Sequence, residues 1–564
     1  MKKCDLVMKG GITSGIVYPR AVCELANEYE FSSIGGTSAG AIAAALTAAA
    51  EYRRQQGSEA GFEILARLPS DLGQSEPNGG RSRLLELFQP SETTAPLFDV
   101  AIAALESPRA LPRALARNFN RYGGMVLAAG AFFLTLEATS FRNAGMALVM
   151  LATVLVMAIG FVVATAIEAL VTIVRELPGN GFALCSGDVL ADWLELKIRE
   201  VAGVARPLTF GDLEQAGIHL EMMTTNLTHG RPYRLPLLSK KFFFAEREML
   251  RLFPRDVVQW MVDHAARHTT AGGEALYALP PAGDLPIVVA TRMSLSFPIL
   301  LSAVPLWCID YGRRDETPAP ERCWFSDGGI TSNFPVHFFD APLPRWPTFA
   351  FNLAEHTPRY HEKDQTTYVP HKNKDGILEW WMPIASVTDF LGAIFNTMQN
   401  WRDNMLLHLP GQRDRIAHVL LGQKEGGLRL TMDAATIESV AERGREAAAT
   451  LRAHFGDTPP DGVTLTWSNH KWVRFLAFMP ALEGMLEHWS VAFSDRSTQL
   501  SFEDLLSGAA PLPSYKVSTA ERAAIRGASL AFVQHIAQSY GSRPLRNPKK
   551  RPRPEPELRT MARE

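Results

Sequence analysis

Ile34-Gly35-Gly36-Thr37-Ser38-Ala39-Gly40-Ala41-Ile42-Ala43-Ala44-Ala45-Leu46 is the stretch on which the fold turns. It reads as the end of a strand, a tight turn carrying a serine, and an Ala-rich helix. Gly36-Thr37-Ser38-Ala39-Gly40 has the pattern G-x-S-x-G, in which two glycines allow close packing where strand turns sharply into helix. Alanine is the strongest helix former, so the run after Gly40 continues as helix. A serine in that turn stands at a helix N-terminus, whose free N–H groups and dipole face a developing oxyanion. The pattern is short, and its setting between an apolar run and a helix former is what gives it weight.

Upstream, Asp5-Leu6-Val7-Met8 is a buried-strand candidate that runs into Lys9-Gly10-Gly11-Ile12-Thr13-Ser14-Gly15. Ile16 to Val22 then reads as helix, which opens a βαβ unit. Glycines in such a turn let backbone N–H groups approach a ligand. A nucleotide phosphate loop is disfavoured, because no G-K-[ST] follows and Ile12 stands where G-x-G-x-x-G needs its second glycine. Phe31 to Ile34 is the second strand, delivering Ser38. Downstream, Leu220 to Leu227, Leu285 to Arg292 and Thr348 to Leu353 read as strands, with Arg415 to Leu421 as a further candidate. Near Trp324 to Ile330 a strand ends in Asp327, followed by Gly328 and Gly329. Strands alternating with helical stretches imply an α/β sandwich.

A serine nucleophile needs a base within reach and donors for the oxyanion. Asp327, at a strand end with glycines after it, is the base candidate. His337 offers a rival, since Ser38, Asp327 and His337 follow the Ser, Asp, His order of α/β-hydrolases. Against it, such a nucleophile follows several strands, and Ser38 follows two. His219, His229, His264 and His268 read as surface or core histidines.

Lys9-Gly10-Gly11 through Gly15, then Gly36-Thr37-Ser38-Ala39-Gly40, then Asp327-Gly328-Gly329 together resemble the three motifs of the patatin-like phospholipases, in family order. Ile330 to Val336, Thr224 to Thr228 and Ala290 to Pro298 are similar to that family too. The resemblance runs from Met1 to about His454. It implies a three-layer α/β/α sandwich with a mainly parallel central sheet. It also implies a Ser–Asp dyad with no cofactor and no metal: Ser38 as nucleophile, Asp327 as general base, and Gly10, Gly11 and Ala39 as oxyanion donors. The implied substrate is a phospholipid or other acyl lipid. Ile12 and Ser14 depart from the family, which has a third glycine and a basic residue there.

The chain changes character between Tyr122 and Leu136, which carries no charge, and again over the twenty-four uncharged residues from Ala144 to Ile167. As helix the second run is roughly 36 Å long, against a hydrocarbon core of about 30 Å. The expectation is an inserted transmembrane helical hairpin at 113–176, holding the protein to the membrane through 122–174. Arg113, Arg117 and Arg121 before it place the catalytic core on the cytoplasmic side by the positive-inside rule. A buried helix pair in an oligomer core is the alternative. The hairpin divides a catalytic core at 1–112 and 177–455. A helical C-terminal region at 456–540 and a Pro-rich basic tail at 541–564 follow, the tail reading as disordered by composition.

With 564 residues and a net charge of −2, the chain has ample core and no basic field that would argue for nucleic acid. Its five cysteines contain no C-x-x-C pair and read as free thiols. The first residues lack a long apolar run, so no signal peptide is expected. The function expected is lipid acyl hydrolysis through an acyl-serine at a membrane surface. The alternatives are a catalytically silent scaffold of the same fold, motivated by Ile12 and Ser14, and acyl transfer to an acceptor other than water.

Overall fold

The computed structural model describes residues 1–540 except 75–81, 107–108, 120, 141–144, 270–274, 312–318, 374, 376–380, 382, 423–424, 428, 498–499, 511–513 and 515, with 552, 553 and 558 beyond. Nearly all of the tail expected at 541–564 lies outside the described residues.

Five parallel strands form the middle of the sheet. In spatial order they are Ile416–Leu421, Thr348–Glu355, Lys2–Met8, Tyr29–Gly36 and His219–Asn226. Beyond the last, Pro320–Asp327, Val304–Ile309, Phe242–Phe244, Ala275–Ala278 and Arg267–Thr269 continue antiparallel. Arg231–Leu235 also pairs antiparallel with His219–Asn226, and Thr367–Tyr368 closes the other edge. The mainly parallel sheet expected is therefore parallel at its centre and antiparallel over one wing. Along the chain, Arg267–Thr269 is followed by Ala275–Ala278 and Val304–Ile309 by Pro320–Asp327, and each pair lies side by side in the wing.

Alternation along the strands separates two faces. Leu6, Met8, Phe349 and Phe351 enter the large core, whereas Val7, Ala350 and Ile416, level with one another, face the other side. Tyr18–Ala26, Ala39–Gln55, Ala60–Gly73, Asp188–Ala202 and Ala434–His454 pack together on the first face. The Ala-rich helix is buried along most of its length, because small side chains let it sit close on the sheet. On the second face Phe334 and Val336 cover the strands, joined by Leu406 and Leu407 from the end of the helix Val387–Leu407. The sandwich thus has one thick helical layer and one thin layer built partly of loop.

Leu285 to Arg292 is a correction: it is the helix Ile287–Ser294, not a strand. A short fully buried apolar run carries no period that separates the two states, and Pro286 at the N-cap starts the helix.

In the insert, the helices Arg121–Ser140 and Gly145–Glu176 pack side by side. A Cβ at Gly130 would lie 2.3 Å from the Met157 side chain, so small residues set the approach. Among the described residues, one stretch, Leu151–Glu176, is long and apolar enough to cross a membrane, and little of it is buried. Among the described residues, the first helix contributes a shorter apolar stretch, Gly123–Phe132, about 15 Å of helix. The two-span transmembrane hairpin is therefore not supported. In the C-terminal region Trp467–Ser494, Phe502–Ser507 and Thr519–Tyr540 pack on one another.

Candidate active site

The turn after Tyr29–Gly36 holds Ser38 at φ 54° and ψ −129°, a left-handed backbone that costs a non-glycine residue on the order of 1–3 kcal/mol. The turn is closed by Gly40 N–H to Thr37 O at 2.9 Å and Ala41 N–H to Ser38 O at 2.8 Å. Its glycines are required by crowding. A Cβ at Gly36 would lie 2.3 Å from Gly40 O, and one at Gly40 would lie 2.3 Å from Met8 O. The end of the first strand thus runs against the elbow. Behind it, Ser38 N–H donates to the buried Ser294 Oγ at 3.2 Å, from the helix misread as a strand.

Register explains how Asp327 reaches Ser38. Gly36 is level with Met222, and Asp327, on a strand running the other way, is level with Thr224. Two strands of opposite direction so end at one height. Asp327 N–H donates to Ser296 O at 2.9 Å, and Asp327 Oδ1 accepts from Gly329 N–H at 2.6 Å. A Cβ at Gly328 would lie 2.1 Å from Met223 O, which accounts for the first glycine after the acid. Burial pushes the Asp327 carboxyl up to about 7, while the Ser38 hydroxyl and the Gly329 N–H pull it down. Oδ2 is buried without a hydrogen bond of ordinary geometry. Ser38 is near enough to act on the carboxylate yet not aligned with it, as is common before substrate tightens a site.

The glycine loop meets the elbow through Asn333. Asn333 O accepts from Gly10 N–H at 2.7 Å and from Thr37 Oγ1 at 3.0 Å. Gly10 therefore departs from its expected role: its N–H is committed to Asn333 and does not face an oxyanion. The N–H groups of Gly11 and Ala39 make no hydrogen bond among the described residues. Gly15 packs on Ala39, where a Cβ would come within 3.0 Å of the Ala39 Cβ. The loop is braced by Lys9, whose buried Nζ donates to Asn352 Oδ1 at 2.9 Å and Leu353 O at 3.0 Å. Burial lowers that amine to about 8. Ser14 sits beneath Gly426, where a Cβ would lie 2.9 Å from Ser14 Cβ, and Thr13 donates twice to Gly427 O. A long basic side chain at position 14 would have no room there.

Asp403 supports the loop from below. It accepts from Ser332 Oγ at 2.7 Å and from Phe334 N–H at 2.8 Å. His337 takes no part: both ring nitrogens are buried without a partner, and burial with Arg402 and Arg234 lowers its pKa to about 3. It bonds neither Ser38 nor Asp327, so the triad reading fails. Ser294, Asn333 and Asp403 were missed as site residues. The first two lie in segments that resemble the family without a role attached, and nothing near Asp403 in sequence marks it.

A family model described as patatin-like phospholipase matches residues 6–340, more than half of the chain. The RpoH suppressor of Rhizobium meliloti (strain 1021) is 36% identical over 573 residues, covering 86% of this chain and 86% of that protein. The crystal structure of VipD from Legionella pneumophila aligns with 96% of this chain and 88% of its own at 11% identity, with a TM-score of 0.28, too loose to carry an argument.

Proposed function

The chain belongs to the patatin-like phospholipase family, and from that premise we propose that it hydrolyses acyl esters of lipids through a Ser38–Asp327 dyad. The observation that carries this reading is the buried Asp327 carboxylate beside Ser38, with Oδ2 unpartnered and a pKa near 7. A carboxylate at its ordinary pKa of about 3.9 is a weak base for a hydroxyl, and burial brings Asp327 close to working pH. Oδ2 takes the Ser38 proton as Oγ attacks the acyl carbonyl. Gly11 and Ala39 N–H groups hold the oxyanion, each worth roughly 3–4 kcal/mol by analogy with other oxyanion donors. The leaving alcohol departs with the proton from Asp327. Asp327 then takes a proton from water, which attacks the acyl-serine, and returns it to Ser38 Oγ as the C–Oγ bond breaks and the acid leaves. Gly10 anchors the loop through Asn333.

Turnover of a fluorogenic acyl ester tests this. Ser38→Ala and Asp327→Asn should each lose at least about 10³-fold in kcat, and variants as fast as wild type would end the dyad. A silent scaffold is the second reading, favoured by the commitment of Gly10 and by Ile12 and Ser14. A fluorophosphonate probe that leaves Ser38 unlabelled would select it. Product analysis separates hydrolysis from acyl transfer. The exposed Leu151–Glu176 helix supports association with a membrane.

A further inference from the structure

The helix Val387–Leu407 is attached to the body by its last turn, where Asp403 is buried and Leu406 and Leu407 pack under the sheet. Its outward side carries Val387, Leu391, Ile394, Met398, Trp401 and Met405, each between 43% and 76% exposed. These are spaced four, three, four, three and four residues apart, so at helical pitch they fall in an arc of about 80°. Asp403 lies on the opposite side of the helix, bonded to Ser332 and Phe334 beside the residue that fixes Gly10 and Thr37.

We propose that this stripe rests on the surface of a lipid bilayer and so holds the enzyme at its substrate. The substrate class rests on the reading given above, but the stripe has its own argument. A second helix as occupant would call for complementary charges along both edges of the seam. The edge positions are Thr388, Phe390, Phe395, Thr397, Arg402 and Asn404, with one charge among them. A bilayer needs no such pairing. It favours soft side chains such as Met398 and Met405 and an aromatic ring such as Trp401 at the boundary. Trp381 and Ile384, just before the helix, are exposed apolar residues as well.

The full chain, reconstituted in phosphatidylcholine vesicles, tests the orientation. A dye on Met398→Cys should be quenched by brominated acyl chains. The same dye on Asn396→Cys, exposed on the far side, should not. Equal quenching at both sites, or none at either, overturns the proposal. So does a dye at position 398 that escapes lipid quenching but self-quenches between labelled copies, which would assign the stripe to a second copy. In a second arm, Leu391→Glu with Met398→Glu should cut turnover of vesicular phospholipid, relative to a soluble short-chain ester, by at least about tenfold. An unchanged ratio counts against the proposal. A wild type inert on both esters would remove the hydrolase reading and leave the quenching result to decide the stripe.

Discussion

Burial places the titration of Asp327 at about 7, inside the working pH range. Two consequences follow with opposite signs. In the proposed mechanism the base must be ionised, so kcat/KM should fall about tenfold per pH unit below pH 7. Stability runs the other way. Between the unfolded pKa near 4 and the folded value near 7, the folded state holds a proton that the unfolded state has lost. Stability is therefore greatest below the unfolded pKa and declines as pH rises through 7. The cost of the buried charge is on the order of 4 kcal/mol at most. Asp327→Asn should thus melt above wild type at pH 8, with the gap shrinking to about a third by pH 5 and closing near pH 4, while turnover is lost. An Asn variant no more stable than wild type at pH 8 would contradict the buried-charge account. The left-handed backbone of Ser38 stores strain in the same way, and Ser38→Gly should melt higher than Ser38→Ala by about 1 kcal/mol or more.

At the scale of elements, the elbow is a collision of three backbones. Adding a Cβ at Gly40 meets the Met8 carbonyl, which is held in the sheet and cannot step aside. Gly40→Ala should cost roughly 2 kcal/mol or more and remove turnover, because the strand, the elbow and the glycine loop must all shift. Gly57 provides the contrast: its φ is +89° and a Cβ there meets nothing within 4 Å. Gly57→Ala should cost about 1 kcal/mol, from backbone conformation alone, and leave kcat intact. Urea melts and ester turnover of the two variants distinguish crowding from conformation. Local sequence carried the elbow well, since glycine spacing reports backbone approach. It carried Ile287–Ser294 badly, because a buried face on every side erases the period that tells helix from strand.

In the whole molecule the insert falls, along the chain, between two paired strands of the sheet. Tyr29–Gly36 precedes it, His219–Asn226 follows it, and the two strands pair. The helix Leu111–Asn118 before it touches Gly145–Glu176. Replacing 121–176 by a short Gly/Ser linker should leave a folded protein that turns over soluble ester and partitions into the soluble fraction. Wild type found there without detergent would contradict the membrane role. A variant without near-UV circular dichroism would make the insert structural instead.

What the chain decided locally was the chemistry. Ser38 in its glycine turn, Asp327 before two glycines, and the loop at Gly10 and Gly11 are read from residue type and spacing, because each marks a backbone that only certain residues adopt. The apolar length of 151–176 is legible in the same way. What tertiary structure decided was which groups meet. Gly10 gives its N–H to Asn333 because the 331–335 turn folds back on the loop. Ser294 stands behind Ser38, and Asp403 arrives from a helix some seventy residues past Asn333. His337, close to Asp327 in sequence, is sealed away without a partner. These are hydrogen bonds between residues far apart in the chain, set by register and burial, and no local pattern encodes them.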